Sequence, residues 1–198
     1  MIKYPYFPYK ASQAVHYILC NVGDGTDTSL IMALLYLADR EALLVHGKPI
    51  TGDLMYSTTQ GPELSLSYDL AEGTPLDEYP EALSVWHSYI KQEQNNKLFI
   101  AKPLPRYKAK IEALYGDLSL DDIEFLDDVI RKYGNLSFLD IHNLMYALPE
   151  YDKDVRKMPK RIDPAMILRN GNWSEQNISS VVEDAKESLV FHRTFNIK

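Results

Sequence analysis

The sequence predicts a mainly α protein with a small antiparallel β ribbon, an α+β chain in which a compact helical domain carries a helical C-terminal extension. Three observations predict it. Most of the apolar patterning repeats every three or four residues, only two segments alternate with period two, and capping residues before and glycines after the periodic runs mark helix ends along the chain.

After the opening "YPYFPYK", Ala11, Ala14, Val15, Ile18, Leu19 and Val22 share a helical spacing, so a first helix runs to about Val22 and stops at the loop "GDGTD". A second helix follows, capped by Asp27 or Thr28 and closed at Gly47. "DLMYSTTQ" alternates Leu54, Tyr56 and Thr58 against Asp53, Met55 and Ser57 and reads as a strand. Gly61, Pro62 and Glu63 are expected to start a short third helix ending near Gly73, with proline in its first turn. A fourth helix fits Glu78 to Gln94, and "KLFIAK" supplies the second strand, expected to pair with the first. Ser119 with Asp122 is a capping box for a helix that ends at Gly134, and Ser137 caps the next, which stops before Pro149. Lys153, Arg156, Lys157, Lys160 and Arg161 lie in a charged connector, after which helices are expected from Pro164 and from Ser174. The division that follows is a domain over residues 1–151 and an extension over residues 152–198.

The run "LLYLADREALLVHGKPITGD" places an Asp-Arg-Glu triplet inside a greasy helix. At about 100° per residue, Leu30, Leu34, Leu37, Glu41, Leu44 and Val45 share one face, which sets Glu41 in the apolar stripe and turns Asp39 and Arg40 away from it. Tyr36, Arg40 and Leu43 make a second patch on the opposite side. It is either a second layer of core with Arg40 at its rim or a partner surface, Tyr and Arg being residue types that anchor interfaces. With Asp39 and Tyr56 these three are the candidate partner-binding residues, while Glu41, Gly47, Gly52, Gly61, Pro62 and Gly134 are candidates for holding the fold.

Composition narrows the function. The chain has 198 residues and a net charge of −7, which disfavours nucleic acid and acidic substrates and suits a basic partner. The acids Glu112, Asp117, Asp121, Asp122, Glu124, Asp127 and Asp128 occur without an intervening Lys or Arg, as a solvated helix face or as a surface for such a partner. A single cysteine, Cys20, and the lack of an apolar N-terminal stretch predict a cytoplasmic protein with no membrane span. His16 and Cys20, four residues apart with Asp24 or Asp27 nearby, are the only pairing that resembles a nucleophilic centre. The other histidines lack ligand spacing, so neither metal nor cofactor is expected.

The run from Leu34 to Asp53 followed by "YSTTQGPELSLSYDL", together with "LSLDDIEFLDDVIRKYGNLSFLDIHNLMYALPEY" at residues 118–151, resembles the Panacea domain of the SocA-like antitoxin family. Tyr146 and Tyr151 stand where that family often has histidine and tryptophan. The resemblance implies a non-enzymatic antitoxin that neutralises a cognate protein toxin by direct contact, the toxin being encoded beside it. The alternatives are an adaptor that delivers the toxin to a protease, or a small enzyme using Cys20 and His16.

Overall fold

The computed structural model describes residues 1–93, 96–104, 113–155 and 158–195. At its centre lies helix α2 (Thr28–His46), reached from α1 (Pro8–Val22) through the two-residue strand β1 (Thr26–Asp27). From Ile31 to Asp39 every residue of α2 is buried, so over its middle this helix has no solvent face. Such a helix needs neighbours on all sides. They are α1, α5 (Leu120–Tyr133), α6 (Phe138–Tyr146) and α7 (Pro164–Asn170), together with strand β3 (Gly61–Leu64). Gly47 closes α2 in the left-handed conformation, its φ of 69° and its N–H bonded back to Leu43. At the other end Asp27 occupies the cap position without a side-chain hydrogen bond.

Four expectations change at this level. Gly61, Pro62 and Glu63 do not start a helix. They form β3, which pairs antiparallel with β2 (Met55–Thr58) in the register Thr58 to Gly61 and Met55 to Leu64, and helix α3 (Ser65–Ala71) begins after it. Pro62 is tolerated because β3 is an edge strand. The expected fourth helix is shorter, α4 (Ala82–Tyr89), because Ile90 turns extended and opens strand β4 (Ile90–Glu93); Gln94 lies outside the described residues. No local breaker stands at Ile90; the pairing of β4 with β5 (Lys97–Ile100) overrides helical propensity there. The two expected strands do not pair with each other. β5 joins β4 and β1, whereas β2 joins β3 and β6 (Lys160–Arg161), giving two three-stranded antiparallel sheets. Lastly, Asp39 and Glu41 exchange places, as described below.

Other helix ends follow their local chemistry. Ser119 and Asp122 form the complete capping box of α5, and Ser137 caps α6 through the Asp140 N–H at 3.2 Å. Asp163 caps α7. Residues after 151 pack on the rest: β6 extends the β2 sheet, and Trp173 Nε1 donates to the Leu44 carbonyl at 2.9 Å. The final helix, α8 (Glu175–Phe195), buries Ile178, Val181 and Ala185. Of the connector, Arg156 and Lys157 lie outside the described residues, as does Glu112 of the acidic run.

Candidate functional site

The Asp-Arg-Glu triplet is used internally. Asp39 is fully buried and accepts from the Thr51 N–H at 3.0 Å and from the Thr51 hydroxyl. Thr51 Oγ1 in turn accepts from the Asp53 N–H at 3.2 Å. Asp53 reaches the open start of α3, accepting from the N–H groups of Leu66 at 2.9 Å and Ser67 at 2.7 Å. Residues 50–53 are therefore a buried polar joint between α2 and α3. Gly52 belongs to it by necessity, since at φ 72° a Cβ would lie 1.9 Å from the Pro5 carbonyl oxygen. Burial pushes the Asp39 carboxyl up to about 7 against the pull of its Thr51 bonds, and Asp53 up to about 6 against its N–H donors.

Arg40 points along the protein, not into solvent. Its Nε donates to Glu150 Oε1 at 2.6 Å, and the Tyr36 hydroxyl donates to the same oxygen at 3.1 Å. The Glu150 side chain is 0% exposed and that of Arg40 13%, so this pair ties α2 to the segment after α6. Glu41, placed in the apolar stripe by helical geometry, is the most exposed of the three charges and lies 3.7 Å from Arg40. Tyr36 and Leu43 are 0% exposed, so the patch they form is a layer of core with Arg40 at its edge. Tyr36, Asp39 and Leu43 are buried in this fold; Arg40, at the edge, and Tyr56 on β2 are half-buried and keep part of their side chains at the surface.

His16 and Cys20 do come together, with Cys20 Sγ 3.7 Å from His16 Nε2. The geometry does not activate the thiol. Nε2 faces the Lys102 carbonyl at 2.6 Å, which makes it the protonated nitrogen, and Nδ1 is left to accept from the Tyr115 hydroxyl at 2.8 Å. The imidazole's acceptor is thus occupied, and burial pushes the Cys20 thiol up and the His16 imidazole down. Among the described residues no group of three His, Cys, Asp or Glu is placed to hold a metal ion, and no helix is long and apolar enough to cross a membrane.

A cleft that the sequence pattern did not point to lies between the start of α2, the β2–β3 hairpin, Tyr68 of α3 and one side of α6. Its volume is about 310 Å³, at the small end of ligand-sized pockets. Met32, Pro62, Ile141 and Met145 give it an apolar floor. Glu63 supplies its carboxylate, whose Oε2 accepts from Thr58 Oγ1 at 3.3 Å. Burial, with Asp69 and Asp53 nearby, pushes Glu63 up to about 7. Among the described residues no Lys or Arg lines the cleft, and Glu63 has no ion-pair partner. Along its rim Phe138 stacks on His142 at 5.5 Å between ring centres, His142 meets Tyr146 edge-on at 4.3 Å, and Tyr146 meets Tyr151 at 4.9 Å. The last two rings hold the hairpin: the Tyr151 hydroxyl donates to the Thr58 carbonyl at 3.0 Å and that of Tyr146 to the Thr59 carbonyl. Gly61, at φ 115°, lets α6 come close, since a Cβ there would sit 3.3 Å from that of Met145. Tyr56, a half-buried candidate from the sequence, is the cross-strand neighbour of Glu63. The signal that could have found it is the spacing of Phe138, His142 and Tyr146 on one face of a short capped helix.

These features define a mainly α scaffold built round a buried central helix, whose triplet is held by internal hydrogen bonds and an ion pair, with a cleft beside it that carries the Glu63 carboxylate. The chain belongs to the SocA-like antitoxin family: the family model described as "Antitoxin SocA-like, Panacea domain" matches residues 31–151. That span begins inside α2 and ends at Tyr151, so it contains Asp39, Thr51 and Asp53 of the buried joint and the lining of the cleft apart from Ser29. No curated protein and no solved structure matches the chain.

Proposed function

We propose that this protein is the antitoxin of a toxin–antitoxin pair and neutralises its cognate toxin, encoded in the adjacent reading frame, by direct protein–protein binding. The family match over residues 31–151 is the observation that carries the reading. The charge supports it, since a net charge of −7 suits association with a basic protein. On this reading residues 1–151 are the functional unit, braced by the extension from 152 onward, and the protein needs no cofactor and performs no covalent step.

The test is co-expression followed by reconstitution. The adjacent frame is expected to arrest growth alone and to be tolerated with this chain, and the two purified proteins are expected to form a stable complex without a protease present. Cys20→Ser is expected to neutralise as the wild type does, and His16→Ala, which removes the link between the Lys102 carbonyl and the Tyr115 hydroxyl, is expected to melt lower while its folded fraction neutralises, because neither group is required for binding. Neutralisation that needs a cellular protease, or that is lost with Cys20→Ser in a folded protein, would overturn the reading.

A further inference from the structure

The cleft at Glu63 sets a half-buried carboxylate beside an exposed aromatic ring. That carboxylate lacks a cationic partner among the described residues, whereas Arg40 meets Glu150 at 2.6 Å, Lys10 meets Asp122 at 2.7 Å, and the buried Asp39 and Asp53 are held by several N–H and hydroxyl donors. Along the β-sheet row the sequence runs Glu63, Tyr56, Arg161, so the nearest cation on that row is separated from Glu63 by a tyrosine. The ring of Phe138, 57% exposed, and the half-buried Tyr68 line the opening. A large aromatic side chain left this exposed contributes little to the core. It offers instead a flat π face of negative electrostatic potential.

A withdrawn carboxylate and aromatic rings in the lining of one cleft favour one kind of guest. An anion would meet Glu63, and a purely apolar group would leave the carboxylate buried without compensation. A cationic side chain satisfies both parts: its methylenes run along Met32, Ile141 and Met145 while its charge meets Glu63 and the rings. Building on the toxin-binding reading, we infer that this cleft receives a lysine or arginine side chain of the toxin, with Glu63 as its counter-ion and Phe138 and Tyr68 as its aromatic walls. The guest enters between the hairpin and α6, where Tyr146 and Tyr151 hold the hairpin at a set distance from the helix.

The experiment measures affinity for the toxin encoded beside the gene, inactivated at its own active site, by calorimetry against the full chain. Glu63→Lys is expected to weaken binding about a hundredfold and Glu63→Gln about tenfold, and Phe138→Ala, at an exposed ring outside the core, by roughly tenfold. Circular dichroism and melting curves establish that each variant is folded, and Phe138→Ala keeps the test valid if a Glu63 variant is not. A charge-reversed toxin lysine or arginine that restores binding to Glu63→Lys would identify the guest residue. Without the toxin, n-butylguanidinium titrated to concentrations on the order of 10 mM is expected to shift the amide signals of Glu63, Tyr68 and His142 saturably in the wild type but not in Glu63→Gln. Toxin binding unchanged within about twofold in folded Glu63→Lys and Phe138→Ala, or an n-butylguanidinium response that survives Glu63→Gln, would overturn the cleft assignment and leave the antitoxin reading intact. Absence of any complex with the wild type would overturn both.

Discussion

Two regions, each rich in polar groups, end in opposite conditions. In the run from Leu34 to Asp53 the carboxylates of Asp39 and Asp53 are matched by backbone N–H groups and Thr51, and Arg40 by Glu150. At the hairpin cleft, Glu63 has one long hydrogen bond from Thr58 and, among the described residues, no cation. Charges interrupting an apolar helix give the run from Leu34 to Asp53 the pattern of a functional site, yet those charges hold elements together. The hairpin has the pattern of an ordinary helix start, yet it carries a carboxylate that no cation meets among the described residues. What separates them is whether the fold itself compensates the charge, which spacing along the chain does not reveal.

The sharpest way to break this contrast is Arg40→Glu. It places a second carboxylate against fully buried Glu150 and is expected to cost about 3 to 5 kcal/mol, read as a large drop in the urea midpoint. A variant that melts like the wild type would mean the pair is not structural. Helical geometry alone leads to the opposite expectation for this substitution, a loss of binding with the fold retained.

The next effect is a pH dependence. Asp39 titrates at about 7 in the folded protein, above its unfolded value, so the folded state holds the proton more tightly. Its contribution is fully present below the unfolded pKa of about 4 and is lost as pH rises through about 7, so stability should rise on acidification from pH 7 to pH 5 by about 2 kcal/mol from this residue. Asp53, at about 6, adds in the same direction. Asp39→Asn is expected to flatten the dependence of melting temperature on pH in that window. An unchanged slope would assign the joint no titrating role.

A smaller cost is expected at the edge of the cleft. Gly61→Val forces a β-branched residue to a φ of 115° and brings its Cβ against Met145, at a cost of about 1 to 3 kcal/mol, detectable as a lower melting temperature. Were stability unaltered, the hairpin would not need a glycine there. The smallest effect sharpens the comparison most: Glu63→Gln is expected to leave stability unchanged or raise it slightly at neutral pH, because the fold makes little use of that carboxylate and burial disfavours its ionised form. Strong destabilisation of Glu63→Gln in thermal melts would return Glu63 to the class of Asp39 and Arg40.

By itself the sequence determined whatever depends on neighbours within one turn. The Ser119–Asp122 capping box, the Ser137 cap, the Gly47 terminus, the extent of α1 and the two C-terminal helices all rest on bonds spanning four residues or fewer, and the structure has them where the residues place them. Family membership was legible for a similar reason, since it rests on punctuation and apolar pattern along the chain. Tertiary structure alone decided what depends on distant partners. Pro62 lies in a strand because β2 offers its edge, and Ile90 leaves its helix because β5 does. Helical geometry assumes that a helix has one wet face. α2 has none from Ile31 to Asp39, so Asp39 went inward to Thr51, Arg40 found Glu150 from 110 residues away, and Glu41 stayed at the surface. Glu63 has no cation beside it among the described residues by the same rule, because the packing of α6 against the hairpin makes the cleft in which it stands.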